Sequence, residues 1–198
     1  MRKFLVAAIL GFVVVAAVPS IANAVVYIYP GGDLNDLRHQ NWYRWGVNWT
    51  HPGETIVDAV LSIDNIYDWR YETDVLNIHL LDWAPLGVTS GYDNQNPTDY
   101  FLGQGPLIVS WSDPYGEPSE AHDLSWSMKD VGLLDTFRTY ISDGRAGFGF
   151  DPDCHYFNRG VTLEIITEPV PEPGTLALFG FGLATGAAAY RKRRARKA

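Results

Sequence analysis

The sequence predicts an all-β domain, an antiparallel β-sandwich with one short helix, set between two terminal addressing segments. Three observations predict it. Turns containing Pro or Gly punctuate short apolar stretches about every ten residues through the middle of the chain. Several of those stretches alternate apolar and polar side chains with the period of two that a half-buried strand requires. Aromatic residues make up 14% of the chain and include seven Trp, enough large side chains for a β-rich core or a stacking surface.

The elements follow in chain order. Residues 25–29 read as a first strand. Residues 55–63 alternate, with Val57, Ala59, Leu61 and Ile63 on one face and Asp58 and Ser62 on the other. Residues 74–81 place Leu76, Ile78 and Leu80 against Asn77 and His79. Residues 106–112 (PLIVSWS), 122–128 (HDLSWSM), 147–150 and 161–166 (VTLEII) complete about seven strands. Only residues 132–141 show helical spacing, with Leu133, Leu134, Phe137, Tyr140 and Ile141 on one side. Seven strands and one short helix point to two packed antiparallel sheets.

Charge is strongly segregated. Residues 25–167 hold seven basic and 21 acidic side chains, whereas residues 191–197 hold six basic side chains and no acid. An acidic body is a poor nucleic-acid binder, because phosphate contacts need Lys and Arg. It suits a soluble domain that takes cations or uncharged ligands. Cys154 is the only cysteine, so no intramolecular disulfide is possible.

Both termini read as addresses. Arg2 and Lys3 precede an apolar run over residues 4–18, a break at Pro19 and Ser20, and the small-residue site Ala22-Asn23-Ala24. That order is a signal peptide over residues 1–24, cut by signal peptidase to leave Val25 first. The exported domain then spans residues 25–168, and a distinct device occupies 169–198. In its segment Val170-Pro171-Glu172-Pro173-Gly174 the prolines forbid a helix and an inner strand. Residues 175–190 carry no charge. As a helix they span about 24 Å, slightly under the hydrocarbon thickness, which thinning and snorkelling of Arg191 and Lys192 can cover. The basic tail, 191–198, then stays in the cytoplasm. Gly182 and Gly186 have the spacing of a helix-packing motif, a chance occurrence in so Gly- and Ala-rich a segment.

Pro-Glu-Pro, a short apolar span and an Arg/Lys cluster at the extreme C-terminus resemble the PEP-CTERM sorting signal. Pro171, Glu172 and Pro173 match its motif residue by residue. The resemblance implies recognition by exosortase in a Gram-negative bacterium, a membrane-anchored intermediate, removal of the tail, and passage to the cell surface or exopolysaccharide matrix. In the body, VLSIDNIYDWRYETDVLNIHL and LLDTFRTYISDGRAGFGFDPDCHYFNRGVTLEI are similar to jelly-roll domains of the galactose-binding-like type. That likeness implies a jelly-roll-like sandwich with a carbohydrate-binding or accessory role, and no ligand residue carries over from it.

Chemistry-bearing residues form several groups. Asp64, Asp68, Glu72 and Asp74 fall in an expected loop between two strands, and Asp151 and Asp153 lie two apart on one side of an extended chain. Asp64, Asp68, Asp74, Asp151 and Asp153 converging at one end of the sandwich would hold Ca²⁺ through oxygen ligands. The competing reading is solvated loop acids that form turns. Cys154 and His155 are adjacent, so in a strand they point to opposite faces, and His39, His51, His79 and His122 add no zinc-like spacing. A buried, inert thiol is expected. Glu117, Glu120 and Asp123 are carboxylates of the kind glycoside hydrolysis uses, but no pair stands in an apolar setting, and GxSxG, HExxH and P-loop patterns do not occur. Trp42, Tyr43, Trp45 and Trp49 either stack on sugar rings or fill the core, with at least half of them expected in the core. Asn48-Trp49-Thr50 matches a glycosylation sequon, which carries little weight in a bacterial chain. The expectation is an exported, non-enzymatic binding or structural sandwich; the alternatives are a secreted glycan-active hydrolase with the same tail and a matrix component with neither site.

Overall fold

A computed structural model describes residues 24–168 except 33, 35, 71–73, 96 and 114–120, together with residues 180, 182 and 183. The signal peptide, Glu72, Glu117, Glu120 and the Pro171-Glu172-Pro173 motif lie outside the described residues, as does nearly all of the expected membrane span. Among the described residues no helix is long and apolar enough to cross a membrane. The chain divides into two units, one of residues 23–171 and one of residues 1–22 with 172–198. In the second unit the described residues 180, 182 and 183 are helical.

The first unit folds as two antiparallel sheets. One contains β1 (Val25–Gly32), β11 (Gly160–Thr167), β4 (Ile56–Asp68), β10 (Tyr156–Phe157) and β2 (Asp36–Leu37) in that order, with β8 (His122–Ser127) pairing β4 as well. The other has the order β6 (Gly87–Tyr92), β3 (Asn41–Asn48), β9 (Arg145–Pro152), β5 (Leu76–Leu81) and β7 (Leu107–Trp111). The helix α1 (Leu134–Ile141) buries Phe137 and Ile141, and its Arg138 donates from Nε to the Ile56 carbonyl at 2.7 Å. Leu61, Ile63, Leu163 and Ile165 from the first sheet meet Trp45, Phe148, Phe150 and Ile78 from the second in one core. The architecture is the expected sandwich, and its likeness to a jelly roll is distant.

The expected strands are present, but four more appear among the described residues: β2, β3, β6 and β10. The strand expected over residues 55–63 also runs five residues further, through Asp64 and Asp68 of the acids assigned to a loop, while Asp74 lies outside it. Two bulges explain this. Opposite β11, Ile166 pairs with Asp58 and Thr167 with Ile56, so Val57 is the extra residue and Ile56 faces the core in its place. Opposite β8, the register shifts between Ile63 and Ile66, and Asn65 adopts a left-handed φ of 53°. After this second bulge the inward positions change from odd to even numbers: Ala59, Leu61 and Ile63 face in, and then Ile66 and Asp68. Asp64 and Asp68 are therefore strand residues.

Strand β5 is buried at every position, because a cover lies on the outer face of its sheet. The segment 93–106 forms that cover. Phe101 rests on Gly149, Trp42 stacks on Tyr100 at 5.3 Å, and His79 bonds the Asp99 carboxylate through Nε2 at 2.7 Å and the Gly105 carbonyl through Nδ1 at 3.0 Å. Arg44 stacks over Trp42 and donates to Gln104 Oε1 at 2.9 Å. A Cβ at Gly105 would lie 2.0 Å from the Leu80 carbonyl oxygen, a backbone atom that cannot yield. Gly105→Ala should therefore destabilise the domain by about 1–3 kcal/mol or more. Leu102→Ala, on the exposed tip of the same cover, should change stability by less than about 0.5 kcal/mol. Urea unfolding of the two variants measures both.

Candidate functional site

Of the five acids named as calcium ligands, Asp64 stands with Asp123, Asp68 and Asp74 stand with Cys154, and Asp151 and Asp153 repel each other, with Asp74 acting on Asp153 as well. Asp64, at the second bulge of β4, hydrogen-bonds to Asp123 on β8, and this bond raises the Asp64 pKa. Asp123 is held below the usual carboxylate range, first by the Asn65 N–H, which donates to its Oδ1 at 2.9 Å, and then by Asp64. Carboxyl groups in direct hydrogen-bond contact are too close to flank a glycosidic bond, which needs a separation of about 5 Å or more. This pair therefore gives no support to a hydrolase.

Asp68, Asp74 and Cys154 come together at a second place. One carboxylate oxygen from each Asp and the Cys154 Sγ all lie within 4.8 Å of one another. Asp68 points inward at the end of β4 and is 1% exposed. Its N–H donates to Asp113 Oδ2 at 2.9 Å, its Oδ1 accepts from the Arg70 N–H at 3.5 Å, and its Oδ2 is buried with no hydrogen-bond partner. Tyr156 stands opposite Asp68 in the register of β10 with β4, and its hydroxyl is also buried without a partner. Burial raises the Asp68 pKa, although hydrogen bonds from Cys154 and from the Arg70 and Trp69 N–H groups oppose the shift. Burial first, and then the charge of Asp68, pushes the Cys154 thiol up to about 12, so the thiol stays protonated at neutral pH.

Asp151 occupies a third place, under the 93–106 cover. Its Oδ2 accepts from the Tyr100 N–H at 2.8 Å, while Oδ1 is buried and unpartnered. Asp93 accepts from the Gln95 N–H at 2.8 Å, and Asp99 from the Phe101 N–H at 3.0 Å. Burial, followed by repulsion from Asp93, Asp99 and Asp153, pushes Asp151 up to about 6. Asp153 is likewise pushed up to about 6 by burial and then by Asp74, Asp93 and Asp99. Asp93 and Asp99 were not legible as partners of Asp151, since their only sequence signal is a turn-rich segment bounded by two acids.

The aromatic stretch of β3 divides by strand parity. Trp45 is 2% exposed and packs on Phe148 and Gly31 in the core; Trp49 is 8% exposed and meets Tyr27 edge-on. Neither has a face free for a sugar, which corrects their assignment as stacking residues. Trp42 faces outward, but Tyr100 and Arg44 occupy its surroundings. The more exposed row lies elsewhere. Because the second bulge turns Asp68 inward, Tyr67 and Trp69 turn outward and meet Phe157 and His155. The ring centroids run Tyr67 to Phe157 at 5.3 Å, Phe157 to His155 at 4.6 Å and His155 to Trp69 at 6.1 Å. Trp69 is 48% exposed, with the Arg70 guanidinium 4.1 Å from its ring centroid. The alternation in Tyr67-Asp68-Trp69 and in His155-Tyr156-Phe157 carried this signal, once both segments were recognised as strand-like and paired.

The raised Asp151 pKa has a consequence for stability. The folded chain holds this proton up to about pH 6, whereas an unfolded Asp releases it near its ordinary value of 3.8. Between those values the folded state binds more protons, so this group's contribution to stability falls as pH rises from about 4 to 6. Asp151→Asn cannot ionise. Its melting temperature relative to the native chain should therefore shift upward across that window, as calorimetry at several pH values will measure.

Comparison with known proteins bears on the C-terminal device. Residues 169–194 match the family model described as the PEP-CTERM protein-sorting motif. No curated protein matches the chain. Solved structures that resemble it include latent aurone synthase (polyphenol oxidase) from natural source, with 11% identity, 67% of this chain and 26% of that one covered, and a TM-score of 0.41. The recombinantly expressed latent form gives 12% identity, 68% and 25% coverage, and a TM-score of 0.40. This chain thus spans about a quarter of the length of those proteins, and likeness at this level carries no functional argument. The C-terminal segment is a PEP-CTERM protein-sorting motif, which implies export, processing by exosortase and a membrane-anchored intermediate.

Proposed function

We propose that the chain is a non-enzymatic, exported β-sandwich that exosortase delivers to the cell surface or extracellular matrix, where it binds polysaccharide. The sorting motif at 169–194 supports the route. The observation that carries the binding reading is the outward row of Tyr67, Phe157, His155 and Trp69. Stacked rings on a sheet face offer apolar surface to the C–H face of a sugar, while indole and imidazole N–H groups supply polar contacts at the edge. The acidic body favours an uncharged polysaccharide over an anionic one. A purely structural matrix role would leave this row without a ligand.

Affinity electrophoresis through gels containing neutral polysaccharides tests the binding. The native chain should be retarded, and Trp69→Ala should bind at least about fivefold more weakly, corresponding to roughly 1 kcal/mol of lost stacking. Trp83→Ala, at an exposed Trp outside the row, should leave binding unchanged. Equal retardation of Trp69→Ala and the native chain would remove the row from the account. The route is tested separately by changing Pro171, Glu172 and Pro173 to Ala in an exosortase-bearing host. Tail removal and surface delivery should both stop; unchanged processing would contradict the sorting role.

A further inference from the structure

We propose that Asp68, Asp74 and Cys154 form a zinc site, with two carboxylate oxygens and one thiolate as its ligands. One ligand atom from each residue already lies within 4.8 Å of the other two. An independent observation points to a ligand here: Asp68 Oδ2 is buried and unpartnered on a residue that is itself almost wholly buried. An unpaired carboxylate oxygen inside a protein is costly, and coordination to a metal removes that cost. The unpartnered Tyr156 hydroxyl stands in the adjoining inward position, opposite Asp68. It can hydrogen-bond a metal-bound water or ligand oxygen.

The donor set selects the metal. Calcium and magnesium take oxygen ligands and leave a thiol unused. Zinc accepts Cys sulfur and Asp oxygen together in a four-coordinate site, so three protein ligands leave one position for water. Binding breaks the Sγ–H bond and forms a Zn–Sγ bond. The proton passes to solvent, and no electron transfer is involved. The three ligands come from distant parts of the chain: the end of β4, the segment just before β5 and the turn between β9 and β10. β4 belongs to one sheet, and β5 and β9 to the other. Zinc would therefore staple the two sheets in a chain with no second cysteine to make a disulfide.

The test uses the full chain, purified in detergent and stripped of metal, then titrated with Co²⁺ and afterwards with Zn²⁺. The native chain should bind one Co²⁺ with a thiolate-to-cobalt charge-transfer band, which Zn²⁺ abolishes by displacement. Zn²⁺ should also raise the melting temperature. Cys154→Ser should lose the band. Asp74→Asn changes a half-buried ligand, leaves the buried pair in place and should weaken binding by at least about tenfold. This second variant decides the matter if Cys154→Ser does not fold. Absence of the band in the native chain overturns the proposal, as does equal Zn²⁺ affinity in the native and Asp74→Asn chains. Ca²⁺ stabilisation of the native chain without a cobalt band would place a cation on the carboxylates alone, and would overturn it as well.

Discussion

The second bulge of β4 is the constraint on which both candidate sites depend. β4 is the longest strand among the described residues, and it pairs with β11, β8 and β10. From Ala59 to Ile63 its odd-numbered residues face the core. Without an inserted residue, Asn65, Tyr67 and Trp69 would follow them inward, and Ile66 and Asp68 would face water. The left-handed turn at Asn65, with its N–H bonded to Asp123, reverses this parity. Asn tolerates positive φ better than a branched residue does, so the local sequence permits the reversal. One residue thus places Asp68 inside, next to Cys154, and sends Tyr67 and Trp69 to the surface, where Phe157 and His155 meet them.

The buried acids follow a common pattern. Asp93, Asp113 and Asp151, with the half-buried Asp99, each accept a backbone N–H, from Gln95, Asp68, Tyr100 and Phe101 respectively. Fixed amide dipoles let a domain bury carboxylates with only seven basic side chains between residues 25 and 167. They do not satisfy every oxygen. Asp68, Asp93, Asp151 and Asp153 each keep one buried carboxylate oxygen without a hydrogen-bond partner.

The sequence was most legible where one signal was uninterrupted. Residues 161–166 alternate without a break and form the expected strand, β11, with Val161, Leu163 and Ile165 buried. The C-terminal sorting motif was legible for a similar reason, since it is a contiguous order of breaker, apolar run and charge. What stayed hidden depended on distant partners. The acids of β4 read as a loop, because a bulge breaks alternation just where the strand continues. β3 escaped notice because Trp42, Arg44, Trp45 and Val47 give no clean period, its outer face being covered by residues 93–106. Cys154 and His155 do diverge as strand neighbours should, yet the thiol meets Asp68 and Asp74 from elsewhere in the chain, which spacing within one segment cannot reveal. Burial of Trp45 likewise depends on Gly31, a residue of the other sheet.

Taken together, these features describe a sorted, exported sandwich with an outer aromatic row proposed to meet a glycan and a buried Asp68, Asp74 and Cys154 cluster proposed to hold a metal. The most direct test follows the indole N–H signals of the seven Trp by NMR during titration with a neutral oligosaccharide bound by the native chain. The account predicts that the Trp69 signal shifts and saturates while the signals of the buried Trp45 and Trp49 stay in place. A saturable shift confined to other Trp residues, with Trp69 unmoved, would contradict it.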